Sequence, residues 1–143
     1  AADFFRGPLE SAVRPGEVAV EAFFPAPGDR SGSAWAEVSR RHGAYAVCGV
    51  GAVVTLGEDR RVGAAKVGLI SVGPTPVVVD VTDALVGQSA DAVEAERAGR
   101  LVMDTVDPDA DIHATAEYRR HLAGTLAARA LTEAAARASE RAA

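Results

Sequence analysis

The stretch "SRRHGAYAVCGVGAVVTL", residues 39–56, decides how the chain is to be read. Gly49-Val50-Gly51 looks like the opening of a dinucleotide-binding loop. Such a loop needs a third glycine at position 54, where a helix N-terminus then meets the pyrophosphate. Position 54 is Val54, and the run stays apolar and β-branched through Val47, Val50, Val53 and Val54. Branched side chains of this kind suit a pleated strand better than a helix. The stretch therefore predicts a buried strand over 45–56. Gly49 and Gly51, two residues apart, share one of its faces and mark a close approach by another backbone or ring. Gly43-Ala44 turns the chain, and Tyr45 is the first large side chain after that turn.

Working outward, short alternating runs separated by turn signals predict an antiparallel sheet. "EVAVEAFFP", residues 17–25, follows the turn at Pro15-Gly16 and predicts a first strand. "AWAEVSRR", residues 34–41, predicts a second, with Trp35, Glu37 and Ser39 on one face and Ala36, Val38 and Arg40 on the other. "VGAAKVGLISVG", residues 62–73, predicts another, ended by Gly73-Pro74. From Val79 the signals change. Thr82 or Asp83 caps a short helical turn closed by Gly87, and Ser89 or Asp91 opens a helix that ends at Val106-Asp107-Pro108. Val93, Ala95, Ala98, Leu101 and Val102 recur along it at helical spacing. A last helix starts near Thr115, with Tyr118, Leu122, Leu126 and Ala130 as its apolar stripe and Arg119, Arg120, Arg129 and Glu133 elsewhere. Strands first and helices after them predict an α+β fold, with three to four antiparallel strands and about three helices on one face.

Composition limits the function. The 143 residues suffice for one domain with its own core. Aromatic residues make up only 5% against 48% hydrophobic overall, so the core must be built from small side chains. A net charge of −5 gives no electrostatic support to nucleic-acid binding. The single cysteine, Cys48, cannot form an internal disulfide, which fits a reducing, cytoplasmic setting. No run has the length of a membrane span. Phe4-Phe5 suggests a segment that packs against preceding chain.

Few side chains offer chemistry of their own. His42, His113 and His121 lack the i, i+4 spacing of a helical metal site, and no cysteines join them. They read as surface or capping residues. Cys48, on an apolar strand, reads as an inert buried thiol. Asp107, Asp109 and Asp111 lack the glycine and distal glutamate of a calcium loop and read as a solvated segment before a helix. Tyr45 has two readings: an aromatic that fills the core at a strand edge, or a plate facing a flat ligand.

Four blocks, in order, carry a family resemblance. They are "FFRGPLESAVRPGEVAVEAFFP", "AWAEVSRRHGAYAVCGVGAVV", "VGLISVGPTPVVVDVTDALVG" and "DIHATAEYRRHLAGTLAARALTEA". Together they resemble the C-terminal domain of the FAD-binding medium subunit of molybdenum hydroxylases, the group of carbon monoxide dehydrogenase and xanthine dehydrogenase. The resemblance implies a junction segment over residues 1–16 that leaves an N-terminal FAD-binding domain, and a C-terminal-type domain over 17–143. It implies FAD as cofactor, held mainly by that other domain, with the molybdenum cofactor and 2Fe-2S clusters in partner subunits. It implies as partners the FAD-binding domain, an iron–sulfur small subunit and a molybdenum large subunit, and a share in electron transfer from iron–sulfur centres to FAD. It also implies a cofactor-side turn of Ala44, Tyr45 and Ala46, with Tyr45 beside the isoalloxazine ring. Ala44 stands where the family often has an aspartate. Glu10 falls where xanthine dehydrogenases place a lysine, so that contact is not expected here. The domain would be part of an oxidoreductase without being catalytic alone. The other expectation is a stand-alone binding or interaction module that keeps the fold without FAD.

Overall fold

The computed structural model describes residues 3–142. Its centre is a four-stranded antiparallel sheet in the order β3-β4-β5-β6, formed by Ser31–Ser39, Ala46–Leu56, Val62–Ile70 and Val77–Asp80. Before it, β1 (Phe5–Gly7) and β2 (Glu10–Ser11) make a separate small hairpin. After it come α1 (Thr82–Leu85), a single 3-10 turn (Ala90–Ala92), α2 (Ala95–Thr105) and α3 (Ala116–Arg141). The expected α+β arrangement is the one observed.

The register explains which side chains are buried. Ala36, Val50, Leu69 and Val77 form one row across the four strands, and Ala34, Ala52, Val67 and Val79 form the next. These rows point at α3, which lies along β3 and β4. The helix meets them with Leu122, Ala123, Leu126, Ala127, Ala130, Leu131 and Ala134, all buried. Alanines on the helix and small residues on the strands let the two backbones come close. At Gly32 the approach is extreme: a Cβ there would sit 2.1 Å from the carbonyl oxygen of Ala134. α2 lies against α3 and crosses it at a pair of glycines, where a Cβ on Gly99 would be 2.5 Å from the oxygen of Gly124. Among the described residues, no helix is long and apolar enough to cross a membrane.

Three details depart from the sequence reading. Residues 17–25 are not a strand. They run without a sheet partner, and Val18, Val20, Phe23 and Phe24 are each at least 80% exposed. Alternating hydrophobicity cannot make a strand where no neighbouring strand takes up the N–H and C=O groups. The fourth strand is instead β6, whose four residues lie just before the expected change to helix. The helix expected to open at Ser89 or Asp91 begins only at Ala95. Gln88 holds the preceding chain in place, donating to the Ala84 carbonyl and accepting from the backbone N–H of Glu94. Neither Thr82 nor Asp83 caps α1: its N-cap position is Val81, the Asp80 Oδ1 accepts from the Thr82 N–H, and the Thr82 hydroxyl bridges to the backbone of Ala65 in β5.

Candidate functional site

The expected glycine pair in β4 does face a ring, and the ring belongs to this chain. Trp35 and Gly51 are cross-strand partners. The indole lies over both glycines, so a Cβ on Gly49 would be 2.7 Å from its Cζ2 atom. This occupied surface is not a place for a ligand. The open surface lies one turn earlier, where β3 passes into β4.

Gly43 takes a φ of 76°, a left-handed value that glycine adopts without strain. The Ala44 N–H donates to the Arg41 carbonyl, closing the turn. Tyr45 then leaves the turn almost free of the domain, at 95% exposure. A tyrosine beside so apolar a strand usually turns inward, and here the core position falls to Val47. Arg40, Arg41, Gly43, Ala44, Tyr45, Val47 and His113 line a hollow of about 480 Å³. Ala46 is not among its lining residues; it opens β4 opposite Ser39.

His113 arrives from the loop between α2 and α3. Its Nδ1 accepts from the Arg40 guanidinium at 2.5 Å. Asp111 anchors that loop: its Oδ1 accepts from the backbone N–H groups of His113 and Ala114, and its Oδ2 meets Arg119 at 2.6 Å. The hydrogen bond from Arg119, helped by that from the His113 N–H, holds the Asp111 carboxyl down at about 2. Arg119 itself is buried. It donates to the Val47 carbonyl at 2.8 Å and to the Ser71 carbonyl at 3.1 Å. One guanidinium thus ties the start of β4, the end of β5 and the loop bearing His113.

Sequence reasoning placed Arg119 away from the apolar stripe. The structure puts it at the stripe's beginning, three and four residues before Leu122 and Ala123, while Tyr118 is half exposed. Reading Ala123 and Ala127 as core would have revealed it. Asp107 and Asp111 are likewise not simply solvated, since each is paired with an α3 arginine, Arg120 and Arg119. Cys48 is fully buried, and desolvation pushes its thiol up to about 11 against a smaller opposing pull from Arg119. Such a thiol is a poor nucleophile. Among the described residues, no group of three or more His, Cys, Asp or Glu could hold a metal ion.

The fold and this turn define a helix-backed antiparallel sheet that turns the Tyr45 ring outward beside Arg40, Arg41 and His113. The sequence profile of the CO dehydrogenase flavoprotein C-terminal domain matches residues 33–134, and the chain belongs to that family. It is 32% identical over 139 residues to the carbon monoxide dehydrogenase medium chain of Afipia carboxidovorans, covering 96% of this chain and 48% of that one. It is 33% identical over 147 residues to caffeine dehydrogenase subunit beta of a Pseudomonas species, covering 94% of this chain and 46% of that one. The crystal structure of quinoline 2-oxidoreductase from Pseudomonas putida superposes with a TM-score of 0.85 at 29% identity, over 96% of this chain and 47% of that one. The chain therefore spans about half the length of the relatives it matches.

Proposed function

We propose that the chain supplies one wall of the isoalloxazine pocket in the flavoprotein subunit of a molybdenum hydroxylase. The observation that carries this reading is the exposed Tyr45 at the mouth of a donor-lined hollow. An aromatic ring normally hides its apolar area, and a ring left bare at a turn is suited to cover another flat ring by offset stacking or edge contact. Gly43 and Ala44 keep the turn thin enough for that approach. The hollow is of a size found for small-molecule sites, and its donors fit the carbonyl-rich edge of a flavin.

FAD, held mainly by the FAD-binding half of the subunit, would supply the redox chemistry. The share of this chain is binding and orientation. Tyr45 covers a ring face, Ala44 places no charge where the family often has an aspartate, and the loop of His113 closes one side. In the same reading residues 1–16 join the two halves. The iron–sulfur and molybdenum subunits of the assembled complex deliver the electrons, and the complex works in the cytoplasm.

The test uses the assembled complex, with flavin followed by absorbance and by redox titration. Tyr45→Ala is expected to change the flavin's reduction potential or its rate of reduction with the fold intact. Tyr45→Phe should have a smaller effect, because the plate remains and only the hydroxyl is lost. A flavin whose spectrum, potential and reactivity ignore Tyr45→Ala would refute the reading, and a complex that carries no flavin would favour an interaction module without FAD.

A further inference from the structure

The hollow beside Tyr45 has an unusual charge pattern. Four side-chain ion pairs are present among the described residues, and they use Lys66, Arg119, Arg120 and Arg137. Arg40 and Arg41, both exposed and both lining the hollow, have no carboxylate partner among the described residues. No acidic side chain lines the hollow. The acid that comes nearest along the chain, Asp111, is already committed to Arg119 and to two backbone N–H groups. A guanidinium carries five donors and no acceptor. One Arg40 donor goes to Nδ1 of His113, which leaves the other imidazole nitrogen as the ring's donor. The hollow thus offers an aromatic plate, two unpaired guanidinium groups and an imidazole N–H. Apart from the Tyr45 hydroxyl, its side chains contain no free acceptor. Such a set selects a flat ligand with an acceptor-rich edge, and selects it more strongly when that edge is negative.

We propose that Arg40 and Arg41 hold the reduced, anionic form of the flavin ring more tightly than the oxidised, neutral form, and so set the direction of electron flow into this site. The inference rests on the flavin reading above. Two electrons and one proton added to oxidised flavin leave one net negative charge on the ring system. Groups that prefer that charge raise the reduction potential by the ratio of the two affinities. A tenfold ratio corresponds to about 30 mV for a two-electron couple.

The experiment is an equilibrium titration of the flavin-containing complex with dithionite, against a reference dye of known potential. FAD content is measured in parallel. Arg40→Gln and Arg41→Gln are each expected to lower the midpoint potential, and the double variant to lower it by about 30 mV, a tenfold loss of preference. Arg40→Lys, which keeps the charge, should recover much of the shift. Circular dichroism checks that the variants fold, which their exposed positions favour. A double variant with flavin retained and the potential unmoved overturns the proposal. So does equal weakening of oxidised and reduced flavin. If Tyr45→Ala moves the potential and the arginine variants do not, the flavin reading stands and this inference alone falls. If the unaltered complex carries no flavin, both fall.

Discussion

The two faces of the sheet carry the same residue type for different reasons. On the face toward α3, Gly32 exists because the backbone of the helix occupies the space a side chain would need. On the opposite face, Gly49 and Gly51 exist because a side chain of the neighbouring strand, Trp35, lies flat on them. The inner face is sealed: Val50, Val54 and Val67 are fully buried. The outer face is partly open, with Trp35 at 52% and Val78 at 71% exposure. A glycine opposed by backbone meets something that cannot move aside. A glycine opposed by an indole meets something that can turn. The lesson is that small residues in a strand report a close approach without saying what approaches.

Substitutions can break this contrast. The largest effect is expected at Gly32→Val, where even the first carbon would overlap the α3 backbone. Chemical denaturation should show a loss of at least about 4 kcal/mol, the exceptional end of single substitutions. A folded variant of near-normal stability would mean that α3 is free to move away from β3. Leu126→Ala follows, with a loss of about 2–5 kcal/mol expected for a buried large-to-small change. A loss under about 0.5 kcal/mol, the scatter of surface sites, would place that stripe in solvent. The smallest effect belongs to the outer face. Trp35→Ala should cost about 1 kcal/mol in the isolated chain, the average for a point substitution. A cost of about 3 kcal/mol or more, as for a buried aromatic, would show that the outer face is as closed as the inner one.

Much of the architecture was legible in the sequence, because β3 and β5 alternate, β4 is a sustained apolar, β-branched run, and α3 carries a cap at Thr115 and a continuous apolar stripe. What misled was hydrophobicity without a partner. Residues 17–25 have the pattern of a strand and lie exposed, since pairing depends on what stands beside a segment and not on the segment itself. β6 went unread because four residues are too few to show a period. At the candidate site, Tyr45 could be singled out from the turn that Gly43 makes, and Ala44 only through the family resemblance. Arg40 and Arg41 were visible as residues, but the hollow they share with His113 was not, because His113 joins it from 73 positions away in the chain. Arg119 was hidden for a related reason. An arginine on a helix is read as solvated, and its burial is made tolerable by partners outside the helix, the carbonyls of Val47 and Ser71 and the Asp111 carboxylate.

That arginine has a consequence for recognition. By gripping the first residues of β4, the exit of β5 and the Asp111 loop together, it orders both sides of the hollow when the chain folds rather than when a ligand arrives. Binding at a preassembled surface loses little conformational entropy, since few side chains and no loop remain to be immobilised. The freedom left in the wall is mainly that of the Tyr45 ring, the Arg41 guanidinium and the Arg40 donors that His113 does not engage. A guest that stills those three groups would meet a stiff frame with a soft lining, and its affinity would depend on how well it suits the lining.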